Sequence, residues 1–238
     1  MRDTQLIFVE GLPGLGKTTT ASWLAARLRA ERLPANLYLE SQPGHPINVG
    51  GDLHPAGDVT GEIYFQRYGP ASFIQESLAR WQAFVDDAVR GDAISVLDSY
   101  PFQNSARILL QMDAPFDDMR EYTTQVETLV MPLRPVLIYL SHRDMAHASQ
   151  HFSRIAAQRG KAWLDYVVMV ITHCPYATAR RLAGYDGVLA FMRDYKQLTD
   201  ALLRESHLPR IVLSDCAGEW DTCYRRIVEF LEPAEEDN

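Results

Sequence analysis

Five short apolar runs punctuate the chain, and between them apolar residues recur at three- and four-residue spacing. Leu6-Ile7-Phe8-Val9, Asn36-Leu37-Tyr38-Leu39, Ala93-Ile94-Ser95-Val96-Leu97, Val136-Leu137-Ile138-Tyr139-Leu140 and Arg210-Ile211-Val212-Leu213 have strand length. Near-continuous apolar runs suit strands covered on both faces of a parallel sheet. The helical stretches run from the first strand's loop to about Arg32, then over about 71–90, 103–112, 117–130, 142–159, 162–172 and 185–206. Ile74, Leu78, Trp81, Val85 and Val89 form the apolar face of the second of these, with Gly91 as its C-cap. Gly160 ends the polar 142–159 stretch, Pro175 cuts the next, and a closing helix carries Trp220, Tyr224, Ile227 and Leu231. Strands alternating with helices predict an α/β three-layer sandwich with a five-stranded parallel sheet. The chain reads as one domain over 1–233, with an acidic tail at 234–238.

The first strand runs directly into Gly11-Leu12-Pro13-Gly14-Leu15-Gly16-Lys17-Thr18-Thr19, a complete G-x-x-x-x-G-K-S/T phosphate-binding loop. Ala21, Leu24, Ala25 and Leu28 follow at helical spacing, so strand, loop and helix stand in the order this motif requires. Its glycines let backbone N–H groups converge on phosphate oxygens at a helix N-terminus. Lys17 adds a full positive charge, and the Thr18 hydroxyl is placed to ligate Mg²⁺. ATP and Mg²⁺ are therefore the expected cofactors.

Chemistry in such folds gathers at the carboxyl ends of the strands. Glu10, Glu40 and Asp98 each stand at such an end. Asp98 is the second candidate metal ligand, in the place of a Walker-B acid, and Glu40 is the candidate base for an acceptor hydroxyl. Glu10 is expected to brace the loop through backbone N–H groups. After the fourth strand, Arg143, Arg154, Arg159 and Lys161 concentrate positive charge in an expected lid at about 142–162. Arg154 and Arg159 are the candidates for stabilising the transferring phosphoryl group, although at a spacing of five they would not share a face of one straight helix. Gln103 and Asn104, close behind Asp98, are candidate acceptor contacts. Tyr64, Phe65, Arg67 and Tyr68 could stack on a ring but read first as packing. His45, Asp52, His54 and Asp58 match no metal template and read as a polar, mobile loop within 41–61. His142, His147 and His151 read as solvated or capping residues, and the four tryptophans as core anchors.

Composition changes the picture in two places. A net charge of −8 argues against broad nucleic-acid or anionic-membrane binding. Three cysteines, Cys174, Cys216 and Cys223, with no C-x-x-C, fit a reduced cytoplasmic chain with Cys174 as a buried hydrophobe. No run approaches the length of a membrane span, and the N-terminus enters a strand at once, so no signal peptide is expected. A homodimer is compatible with this composition.

The stretch Phe8-Val9-Glu10-Gly11-Leu12-Pro13-Gly14-Leu15-Gly16-Lys17-Thr18-Thr19 resembles the start of thymidylate kinase-like P-loop kinases. Asp98-Ser99-Tyr100-Pro101-Phe102-Gln103-Asn104 resembles their acidic motif, and Tyr139-Leu140 with the following arginines is similar to their lid segment. The resemblance implies a five-stranded parallel core and transfer of a γ-phosphoryl group from ATP to a nucleoside, a nucleotide or a related acceptor. Two positions depart from the family: Pro13 stands where an acidic residue is usual, and Ser99 stands where the family has an arginine. That arginine contacts an acceptor phosphate or the transferring group in the family, so its loss points to an acceptor other than thymidylate, such as an uncommon nucleoside or a secondary metabolite. The alternatives are a P-loop ATPase or regulatory switch without a small acceptor, and a nucleotide-binding module without turnover. No N-K-x-D motif is present to support a GTPase.

Overall fold

The computed structural model describes residues 4–40, 42–50 and 65–232. β1 (Leu6–Gly11), β2 (Ala35–Tyr38), β3 (Ile94–Asp98), β4 (Val136–Ser141) and β5 (Arg210–Ser214) form one parallel sheet in the order β2-β3-β1-β4-β5. Every residue of β1 and β3 is buried, although successive side chains point to opposite faces. Both faces at the centre of the sheet are therefore covered, as their apolar continuity predicts. β2 and β5 are the edges, and in β5 only Leu213 is buried.

α1 (Lys17–Ala30) opens directly from the phosphate-binding loop and packs on β1, β2 and β3 through Ala21, Leu24, Ala25 and Leu28. α2 (Pro70–Ala88) carries Trp81 into the core, where its indole N–H donates to the Tyr122 hydroxyl of α4 (Phe116–Val130). Between β3 and α4 the expected single helix divides into a π-type turn (Phe102–Ala106) and a short α3 (Arg107–Gln111). Beyond β4 come α5 (Met145–Arg159) and α6 (Lys161–Thr172), separated by Gly160 at φ +82°. The short α7 (Pro175–Ala179), which the sequence pattern does not predict, leads into the long α8 (Gly184–Glu205), and α9 (Trp220–Leu231) closes the fold. α6 packs along α8, so these two helices and α5 form a layer standing over the carboxyl end of the sheet.

Three expectations need correcting. Residues 42–50 do not form a solvated loop: His45, Ile47, Asn48 and Val49 are buried, and His45 stacks on Tyr100 with ring centroids 4.7 Å apart. Asp52, His54, Asp58 and Tyr64 lie outside the described residues. Of the tryptophans, Trp81 alone is fully buried, while Trp23 stacks on Tyr224 at 4.1 Å and Trp163 and Trp220 line cavities. Finally, Cys216 and Cys223 form a disulfide, which overturns the expectation of a fully reduced chain. The β5–α9 turn brings their Cα atoms to 6.0 Å, within disulfide range. Cysteine usage therefore no longer argues for a reducing compartment. Cys174 is buried as expected. No helix among the described residues is long and apolar enough to cross a membrane.

Candidate active site

Parallel pairing sets the carboxyl ends of β1 and β3 side by side, with Val9 opposite Asp98. Continuing past these ends, the chain places the phosphate-binding loop beside the turn that follows β3. Gly11 and Gly16 show why glycine is needed in the loop. Gly11 has φ +137°, and a Cβ there would lie 2.0 Å from the Leu140 carbonyl oxygen. Gly16 has φ +85°, and a Cβ would lie 2.6 Å from the Trp220 ring.

Lys17 is buried, and its Nζ donates to the Leu12 carbonyl at 3.0 Å. Burial lowers its pKa, and the nearby carboxylates of Glu40, Asp98 and Glu10 oppose that shift. The Thr18 hydroxyl donates to Asp98 Oδ2 at 2.6 Å, which joins the two candidate metal ligands directly. Ser99 donates its Oγ hydrogen to Asp98 Oδ1 at 2.8 Å, so the residue replacing the expected arginine serves the carboxylate instead. Burial raises the Asp98 pKa, and the Thr18 and Ser99 hydrogen bonds act against it. These are hard oxygen donors beside a loop of N–H groups, a set that fits Mg²⁺ and a nucleotide phosphate chain. Ser99 itself sits at φ +72°, a conformation that costs a non-glycine residue about 1–3 kcal/mol and recurs at functional sites.

Glu10 braces more than its own loop. Its carboxylate is fully buried and accepts N–H groups from Phe102, Gln103 and Gly11. Burial raises its pKa from the ordinary 4.5 to about 8, against the pull of Lys17 and those three N–H groups. It thereby fixes the turn after β3, and that turn fixes Gln103. Gln103 Nε2 donates to Glu40 Oε2 at 2.7 Å, and Arg107 Nη2 lies 3.6 Å from Glu40 Oε1. Arg107 also donates to the Gln103 carbonyl and to Gln111 Oε1. Sequence reasoning missed Arg107 and Gln111, yet Gln103, Arg107 and Gln111 stand four apart within the 103–112 stretch expected to be helical.

Two cavities adjoin the loop, and Gly14 lines both. One, of about 240 Å³, is bounded by Leu15, His142, Arg143, Arg154, Asp215 and Trp220. The other, of about 490 Å³, has Glu40, Gln103 and Arg107 among its polar walls and side chains of α5, α6 and α8 as its apolar ones. Arg154 faces the first and Arg159 the second, where it lies over the Trp163 ring at 5.8 Å. The two arginines are thus separated between cavities, as their spacing of five implies. Arg143 reaches Asp215 at 3.4 Å, and Lys161 pairs with Asp165 on the exterior. Of the acceptor candidates, Asn104 is buried but lines neither cavity, and Tyr68 is core, beneath the Arg67 guanidinium.

The histidines also need correction. His147 is solvated, as expected, but the cap of α5 is Asp144, whose carboxylate accepts the His147 backbone N–H and lies 2.9 Å from the His147 ring. His142 is buried beside Asp215, with Nδ1 to Oδ1 at 3.3 Å, and burial lowers its pKa. His151 Nε2 lies 2.9 Å from the Gly14 carbonyl oxygen, and Ile155, one helical turn on, covers the same glycine. α5 therefore rests on the apex of the phosphate-binding loop. Among the described residues no cluster of His, Cys, Asp and Glu could by itself hold a metal ion.

No protein-family profile and no curated protein matches the chain. Among solved structures, the full-length tRNA isopentenylpyrophosphate transferase of Bacillus halodurans is similar to it, with a TM-score of 0.45 and 13% identity over 96% of this chain and 97% of that one. At that identity no chemistry is carried across. The fold itself is a P-loop NTPase-type α/β sandwich, with strand, loop, helix and strand-three acid in the arrangement described above.

Proposed function

We propose that the chain is an ATP-dependent kinase that transfers the γ-phosphoryl group to a hydroxyl of a small acceptor, in the manner of the thymidylate kinase-like group its sequence resembles. The observation carrying this reading is the pair of cavities meeting at Gly14, with the Glu40 carboxylate on the larger one. A simple ATPase needs no second cavity with a carboxylate held in place by an amide and a guanidinium.

In this reading the nucleotide occupies the smaller cavity, with its phosphates over the loop. Backbone N–H groups of Gly14, Leu15, Gly16 and Lys17 bind phosphate oxygens, and Pro13 and Thr19 shape the loop at either end. Lys17 Nζ leaves the Leu12 carbonyl to meet the β- and γ-oxygens. Thr18 and Asp98 would hold Mg²⁺, which neutralises charge on those oxygens. Glu40 accepts the proton of the acceptor hydroxyl, oriented by Gln103 and Arg107. Arg154 approaches the transferring group from the nucleotide side and Arg159 from the acceptor side. The segment of about 142–162 acts as a lid, and α5 over Gly14 excludes water from the line of transfer.

Transfer of ³²P from γ-labelled ATP to a panel of nucleosides and hydroxylated metabolites tests this, with Lys17→Ala as the control. A labelled product absent in the control supports a kinase. Phosphate release that is equal with and without acceptors would instead favour the ATPase alternative and remove the role given to Glu40.

A further inference from the structure

We infer that the acceptor is an uncharged, largely apolar alcohol of drug-like size and carries no phosphate of its own. This rests on the kinase reading above and deepens it. The argument comes from what the larger cavity offers a guest. Its volume of about 490 Å³ lies within the usual range of small-molecule pockets, about 300–1,000 Å³. Phe152, Trp163, Val167, Val170, Phe191 and Met192 supply aromatic and branched walls from three helices. Such walls favour a ring or hydrocarbon body over a hydrated one.

The polar end is specific in sign. Glu40 presents a carboxylate. Gln103 spends its amide N–H on Glu40, and its Oε1 is buried with no hydrogen-bond partner. Gln103 Oε1 is shielded from the cavity, so the Glu40 carboxylate sets the sign at this end: it accepts, and a guest must donate. A hydroxyl does so; a phosphate dianion offers only acceptors and would face Glu40 directly. Arg107 does not reverse this. Its Nε, Nη1 and Nη2 are directed at the Gln103 carbonyl, the Gln111 side chain and Glu40, so its charge is already committed. Arg159 is exposed and lies over Trp163. Ser99, where the resembled family has an arginine, points its hydroxyl at Asp98. Residues 51–64 contain neither lysine nor arginine. In the kinase reading Arg159 serves the transferring group, so a phosphate of the acceptor's own would leave water for a cavity with no further uncommitted cation among its described lining residues, at a heavy desolvation cost.

The test is a two-by-two comparison by calorimetry with a non-hydrolysable ATP analogue present: oestradiol against its 17-phosphate, and thymidine against thymidine monophosphate. Oestradiol should bind at least about tenfold more tightly than either phosphate. Equal or tighter binding of either phosphate overturns the inference, as does an absence of oestradiol binding. Val170→Asp places a charge on the apolar wall and should weaken oestradiol by about tenfold or more; nucleotide binding measured beside it reports that the variant is folded. An unchanged oestradiol affinity in that folded variant would also overturn the inference. Transfer of labelled phosphate to a panel of neutral aromatic and aliphatic alcohols separates the two readings. Binding without any transfer sustains the acceptor chemistry and sinks the kinase. Transfer to thymidine monophosphate but to no neutral alcohol does the reverse.

Discussion

Glu10→Gln should change how stability depends on pH, and by an amount the site itself sets. Burial raises the Glu10 carboxyl from 4.5 to about 8 in the folded chain. The unfolded chain loses this proton near pH 4.5, while the folded chain keeps it until about pH 8. The contribution to stability is therefore fully present below pH 4.5 and declines as pH rises to about 8. Each pH unit in that window is worth about 1.4 kcal/mol, so the whole span is worth about 5 kcal/mol. Glutamine does not titrate, and its single amide oxygen faces three N–H groups, with its own N–H₂ set against them. That mismatch costs about 1–3 kcal/mol at every pH. The two stability curves should consequently cross between about pH 5 and 7, with the wild type more stable on the acid side and the variant more stable on the alkaline side. Urea unfolding at half-unit steps from pH 5 to 8 measures both curves. Lys17, whose pKa burial lowers, slopes the opposite way and interacts with Glu10, so repeating the comparison in a Lys17→Ala background isolates the Glu10 contribution. Parallel curves would refute the claim that Glu10 retains its proton when folded.

Other expectations are simpler. Glu40→Gln should lower kcat by about 10²–10⁴ while nucleotide affinity, read by calorimetry, stays close to that of the wild type; surviving turnover would remove Glu40 as base. Arg154→Ala should raise KM for the nucleotide and Arg159→Ala KM for the acceptor, because they line different cavities; the same pattern in both would contradict that division. Gly16→Ala forces φ +85° on alanine and drives its Cβ to 2.6 Å from Trp220, so thermal unfolding should show a loss of about 1–3 kcal/mol or more, of which adding Trp220→Ala recovers only the steric part. Reducing the Cys216–Cys223 bond, which closes a short loop, should cost about 2 kcal/mol in urea unfolding, and a Cys216→Ser variant should then be insensitive to reductant.

Much of this was legible without coordinates because it is local. The strands follow from apolar runs, and the phosphate loop from glycines whose spacing only one backbone path satisfies. Asp98 and Thr18 are 80 positions apart, but each was identifiable because the parallel fold brings the ends of β1 and β3 together. The split of Arg154 and Arg159 also follows from helical geometry alone. What the sequence left open depends on distant packing. His142 and His151 read as solvent-facing because nothing local shows that Asp215 and the Gly14 carbonyl will meet them. The π-type turn after β3 exists because Glu10, 92 positions earlier, gathers the Phe102 N–H. The Cys216–Cys223 pairing required the β5–α9 turn, and the burial of His45 required Tyr100 beneath it. The larger cavity is the clearest case: its apolar walls come from three separate helices, and its charge balance emerges only when Glu40, Gln103 and Arg107 converge. Periodicity and motif spacing determine elements and the loop that binds phosphate, because those interactions are short in sequence. Which polar groups end up neutralised, and so what kind of guest the larger cavity can admit, is decided by contacts that only the folded chain creates.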